Sequence, residues 1–93
     1  MGYEEEIEGL RREINRLNEE IVDRISQRVK VAVRIGAVKK RYGQPIVDAG
    51  REAKVYEQIR ELARRHHLDG VGLERIFREI ISLCTEAQLG DHS

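Results

Sequence analysis

The stretch YEEEIEGLRREINRLNEEIVDRISQRVKVAVRIGAVKKR, residues 3–41, decides the fold. It contains no proline, and its apolar residues keep helical spacing. Ile7, Leu10, Ile14, Leu17 and Ile21 alternate in steps of three and four; Ile25, Val29, Ala32, Ile35 and Val38 carry the stripe onward. Gly43 and Pro45 then break the run. The spacing predicts one helix from Tyr3 to about Arg41, about 60 Å long at 1.5 Å per residue. A compact globule of this chain length would be only roughly 30 Å across. Much of the helix must therefore protrude with its apolar stripe uncovered, so a second chain should cover it. An antiparallel pair is the simplest closed arrangement. The competing reading is a bent or broken helix folding back within a monomer, with Gly36 as the obvious weak point of its second half.

Beyond Pro45, Asp48 is a good N-cap for a second helix running to about His66, with Val55, Ile59 and Leu62 facing inward. His66 and His67 suit the C-terminal end of its dipole. The segment HLDG (67–70) turns the chain. A third helix follows, with Leu73, Ile76, Phe77, Ile80, Ile81, Cys84 and Ala87 on its apolar side. The tail GDHS is expected to fray. There is no repeat, linker or low-complexity segment, so residues 1–93 are read as a single domain of the all-α class, three helices per chain.

Ninety-three residues bury a marginal core unless stapled or partnered. The single cysteine, Cys84, excludes an intrachain disulfide, and His66, His67 and His92 have no cysteine cluster to complete a zinc site. Oligomerisation is then the expected source of stability. Lys plus Arg and Asp plus Glu each total 17, so the formal net charge is zero, without the basic surplus of a general nucleic-acid binder. No stretch has the apolar length of a membrane span. The opening MGYEEEIEG is too acidic and polar for a signal peptide, so the expected location is the cytoplasm.

The informative residues are polar ones in apolar phase. Ile7, Ile14 and Ile21 step to Arg28 and then to Ile35. Glu52 precedes Val55 by three and Ile59 by seven. Phe77, Ile81 and Cys84 lead in phase to Gln88. Each helix thus sends a hydrogen-bonding side chain inward. Buried charge is costly unless paired, so these are either structural pairs or the lining of a polar site. Lys39 follows Arg28 by 11 residues, almost a whole number of turns, which puts both cations on one face about 16 Å apart. Together they could bracket a small dianion, although a lysine at a helix end is commonly just solvated. Arg11, near the apolar stripe, lies about 42 Å from Lys39 along the same helix. No small ligand spans that in one chain, but an antiparallel partner could bring the two together. Arg51, in the first turn of the second helix, opposes the dipole and calls for an anion; either a ligand or a neighbouring carboxylate of Asp48 or Glu52 would serve.

These residues resemble the all-helical class of chorismate mutases. The resemblance runs from about Leu10 to Gln88. It rests on the order and spacing of LRREINRLN (10–18), Arg28 with VAVRIGAVK (31–39), PIVDAGRE (45–52), HHLD (66–69) and IFREIISLCTEAQ (76–88). It implies an intertwined homodimer in which Arg11 enters the partner's site. It further implies that Arg11 and Arg28 bind substrate carboxylates, and that Lys39 contacts a carboxylate and the ether oxygen. Gln88 would donate to that oxygen. Glu52 and the backbone at Asp48 would hold the ring hydroxyl, Arg51 would support the acidic residues or a carboxylate, and Ile35, Val55 and Ile81 would form apolar walls. Cys84 departs from the pattern by standing where a small hydroxyl residue is common; a thiol is the weaker donor. Asn18 replaces a frequent aspartate, a change that bears on packing.

The implied reaction is the intramolecular rearrangement of chorismate to prephenate, on the route to phenylalanine and tyrosine, with no metal, cofactor or covalent intermediate. Two alternatives stand beside it: an isochorismate pyruvate lyase on the same fold, and a non-enzymatic helical dimer acting as an interaction module.

Overall fold

A computed structural model of the chain describes residues 2–90; the expectation of fraying at Asp91, His92 and Ser93 lies outside the described residues. Three helices follow in order: α1 (Tyr3–Arg41), α2 (Ala49–Arg65) and α3 (Gly70–Leu89). No helix among the described residues is long and apolar enough to cross a membrane.

α1 is continuous for 39 residues. Its ends agree with its dipole: Glu4, Glu5 and Glu6 occupy the first turn and Lys39, Lys40 and Arg41 the last. Gly36 does not break it; the residue is buried within an intact helix. The helix stops at a left-handed Gly43 (φ 67°). There Gly43 N–H donates to the Lys40 carbonyl (3.2 Å) and Gln44 N–H to that of Lys39 (2.8 Å), which satisfies carbonyls the last turn would leave bare. α2 ends the same way around His67 (φ 58°), with Leu68 N–H donating to the Ala63 carbonyl at 2.9 Å. The Asp48 carboxylate caps α2 by accepting from Arg51 N–H at 3.1 Å. α3 has a cap the sequence reading passed over: the Asp69 carboxylate accepts from Gly72 N–H at 3.1 Å, so HLDG is both a turn and a helix start.

α3 is the middle element. α1 packs against one side of it and α2 against the other. α2 buries Val55, Ile59 and Ala63, spaced i, i+4, i+8; Ala63 is fully buried where Leu62 was expected, and Leu62 is only half-buried. Ile76, expected inward on α3, is 57% exposed. Outside the α2–α3 seam, Arg60 and Arg78 both bond the Glu74 carboxylate, and Arg78 stacks over the Tyr56 ring at 4.5 Å. The Arg60 guanidinium, seconded by Arg78, holds the Glu74 carboxyl below the usual carboxylate range.

The molecule measures 62 × 33 × 15 Å. Its short dimension is little more than one helix diameter, so the chain is a single layer of helices. Its radius of gyration is 17.4 Å, against about 12 Å for a compact chain of this length. Every residue from Leu10 to Arg24 is exposed. The apolar stripe is among them, with Leu10, Ile14, Leu17 and Ile21 each about half exposed or more.

Asp69→Ala removes the only side-chain cap of α3 and should lower stability by about 1 kcal/mol. Urea unfolding at one fixed protein concentration measures this, with Asp69→Asn expected to keep most of the stability because an amide oxygen can accept the same bond.

Candidate active site

The three helices and the α1–α2 loop enclose one side of a cavity of about 400 Å³. α1 supplies Arg28, Val31, Ala32, Ile35 and Lys39, one stripe that rises through the second half of the helix. The loop supplies Ile46 and Val47. The first turns of α2 supply Asp48, Arg51, Glu52 and Val55, and α3 supplies Ile81, Cys84, Thr85 and Gln88. The geometry brings together every residue singled out from the sequence except Arg11. That residue is exposed at the far end of α1, in a 3.3 Å ion pair with Glu8. Val31, Ala32, Ile46, Val47 and Thr85 also line the cavity. Ile46 and Val47 sit in a loop with no periodicity to reveal them, whereas Ala32 stands one turn from both Arg28 and Ile35 and was legible as their neighbour.

The polar side chains are held by neutral acceptors. The Arg28 guanidinium lies 3.0 Å from the Cys84 sulfur, which is buried. Lys39 Nζ donates to the Ile46 carbonyl at 2.7 Å, tying the end of α1 to the loop. Gln88 Nε2 donates to the Ala32 carbonyl at 2.9 Å, tying α3 to α1. Each contact consumes a single donor. An ammonium has three, a guanidinium five and an amide two, so every group keeps at least one donor for the cavity while its direction is fixed.

Structural ion pairing was one of the two readings left open for these residues. Among the described residues, however, neither Arg28 nor Lys39 has a carboxylate partner, and Arg51 forms no ion pair with Asp48 or Glu52. The Glu52 carboxylate is half-buried at the cavity edge, also with no hydrogen bond from a described residue. Three cations and two carboxylates line the space, an excess of one positive charge, and Asp48 is already engaged by the helix end. Such a lining suits a small, multiply anionic molecule that also carries a hydrogen-bond donor for Glu52. Ile35, Val55 and Ile81 supply the apolar surface against which it would lie.

Comparison with known proteins identifies relatives over most of the chain. A family model described as "Chorismate mutase type II" matches residues 10–89. The chain is 40% identical over 84 residues to the bifunctional chorismate mutase/prephenate dehydratase of Aquifex aeolicus (strain VF5), covering 86% of this chain and 23% of that protein. It is 31% identical over 78 residues to the chorismate mutase of Methanocaldococcus jannaschii, covering 83% of this chain and 78% of that one. It is 30% identical over 82 residues to a 4-amino-4-deoxychorismate mutase of Streptomyces venezuelae, covering 88% and 80% respectively. The chain thus spans about a quarter of the length of the bifunctional relative, but most of the length of the shorter ones. With a family model matching residues 10–89 and a relative 31% identical covered over 78% of its length, the chain belongs to the chorismate mutase type II family.

Proposed function

We propose that this chain acts as a chorismate mutase of the cytoplasm, and that two copies pair to complete each site. The observation that carries this is the cavity where Arg28, Lys39 and Gln88 each hold spare donors with no carboxylate to neutralise them. In the rearrangement one carbon–oxygen bond of chorismate breaks as a carbon–carbon bond forms within the same molecule. No proton is transferred and no nucleophile is needed, so the protein's work is orientation and electrostatics.

Arg28 and the partner's Arg11 clamp the carboxylates and hold the flexible enolpyruvyl arm over the ring. Lys39 and Gln88 face the ether oxygen, where negative charge grows as the bond lengthens; one such donor is worth roughly 3–4 kcal/mol. Because both are already fixed on backbone carbonyls, little reorganisation accompanies the reaction. Glu52 and the backbone at Asp48 take the ring hydroxyl, with Arg51 beside them. Cys84 orients the Arg28 guanidinium more than it touches substrate. Ile35, Val55 and Ile81 form the walls.

Pairing is supported by the single-layer shape and the uncovered stripe of α1. Covering each half-exposed Leu or Ile is worth on the order of 1 kcal/mol, and four such residues precede Val22. A second apolar groove, lined by Val22, Ile25, Val29, Leu83 and Ala87, continues the stripe onto α3. A two-fold antiparallel arrangement places the start of one α1 against the later part of the other. That puts Arg11 within reach of the partner's cavity.

The relative named a 4-amino-4-deoxychorismate mutase raises a second reading, which Glu52 would accommodate. An unpartnered carboxylate can accept from a hydroxyl or pair with an ammonium at the same ring position.

The deciding experiment incubates the protein separately with chorismate, its 4-amino analogue and isochorismate, and identifies the products. Prephenate from chorismate is expected. Turnover of the amino analogue alone supports the second reading; pyruvate released from isochorismate alone points to the lyase, and no turnover at all to an interaction module. Lys39→Ala should keep the fold but lower kcat/KM by at least about a hundredfold, as for loss of a transition-state donor. A steady-state assay of the folded variant reads this.

For the shared site, Arg11→Ala and Lys39→Ala proteins are unfolded together and refolded as a mixture. Half of the dimers are then mixed. One of their two sites carries both intact residues, so about a quarter of all sites should regain activity under two-fold symmetry. A mixture as inactive as its components, with mixed dimers shown to form, would place Arg11 outside the partner's site.

A further inference from the structure

α1 and α3 approach closely at residue 36. A Cβ built on Gly36 would stand 3.1 Å from Gln88 Cβ, 3.2 Å from its Cγ and 3.4 Å from its Cα. Carbon atoms pack comfortably at about 3.5–4.0 Å, so any side chain here would press Gln88 away from α1. Glycine inside a helix is also less stable than alanine, so its presence within α1, more than a turn before the helix ends at Arg41, runs against local preference.

The same spot holds the amide's anchor. The carbonyl that accepts from Gln88 Nε2 belongs to Ala32. In an α-helix the residue whose N–H bonds that carbonyl is the fourth one on, which is Gly36. The carbonyl has a second lone pair for Gln88. A Cβ at position 36 would press against the stem of the side chain that reaches for it. The amide group is planar and carries two hydrogens on nitrogen. Fixing one on Ala32 sets the direction of the other, which is left for the cavity that Gln88 lines.

We propose that Gly36 is a positioning residue for Gln88: by having no side chain it lets α3 close on α1, so that the Ala32 carbonyl holds one amide hydrogen and aims the other at the substrate. The catalytic half of this statement rests on the function proposed above; the geometric half does not.

The test has two arms. In the first, Gly36→Ala is made in the full chain, its helicity and oligomeric state are checked, and steady-state kinetics with chorismate are measured. The expected result is a fall in kcat of about tenfold or more with KM moving less than about threefold, because the misplaced donor serves the transition state and not ground-state binding. In a Gln88→Ala background the same change should cost little further kcat. A near-parental kcat in the folded Gly36→Ala protein overturns the proposal, as does an equal loss in the Gln88→Ala background.

The second arm needs no variant to fold and no activity. In protein labelled with 15N-glutamine, the side-chain amide of Gln88 should show one slowly exchanging proton well separated from its twin, unlike those of the exposed Gln44 and Gln58. An amide indistinguishable from Gln44 and Gln58 overturns the anchoring, whether or not chorismate is turned over. A protected amide in a protein that does not turn over chorismate retains the anchor and rejects the functional reading instead.

Discussion

The structure depends on how α3 seats on α1. α2 packs on α3 and not on α1, so beyond the connecting loop and the Lys39–Ile46 link the two outer helices are placed relative to one another only through α3. The α1–α3 seam is made of small groups: Ala32 and Gly36 on one side, and Cys84 and the stem of Gln88 on the other. Small residues bring the backbones close, and closeness is what allows a side-chain amide on α3 to reach a main-chain carbonyl inside α1. A bulkier pair would still make a helical layer. It would widen the cavity and leave Gln88 without its anchor.

The cavity uses charge in an uncommon way for a chain that is 37% charged and has zero net charge. The ion pairs among the described residues lie on exposed faces, as in Glu61 with Arg64 and Arg65, or across the rim of α2 and α3 through Glu74. Two of the three cavity cations, Arg28 and Lys39, are held instead by a thiol and a carbonyl. A carboxylate partner would orient Arg28 or Lys39 just as well but would neutralise it. Neutral acceptors fix direction and leave the positive potential for an anionic ligand. The half-buried position of both cations keeps that potential from being fully screened by solvent.

A single layer of helices has no interior of its own. Only a handful of side chains are buried, and the longest helix leaves its apolar stripe uncovered over its first half. In the proposed dimer, stability and completion of the site would draw on the same event, the covering of that stripe by a second chain. Under that proposal Arg11, exposed at the far end of α1, enters the same functional account as the cavity.

The sequence by itself determined the helices. Periodicity, Gly43, Pro45 and the Asp48 cap are local signals, and the observed bounds of α1 and α2 follow them closely because helix formation depends on neighbours three and four residues away. Phase alone also marked Arg28, Glu52 and Gln88 as polar groups on apolar faces, and ten positions named before any fold was built line one cavity. What phase could not supply was distance. It ranked Gly36 as a weak point, when contact with α3 makes it a point of close approach. It chose Leu62 over Ala63 for the core and turned Ile76 inward, because helical phase says which way a residue faces and not whether another helix is there to meet it. It missed Ile46 and Val47, which lie in a loop without period, and it could not foresee that Cys84, Ile46 and Ala32 would hold the three donors. Those contacts join residues on different elements, two of them 56 positions apart in the chain, and only tertiary packing decides which such groups meet.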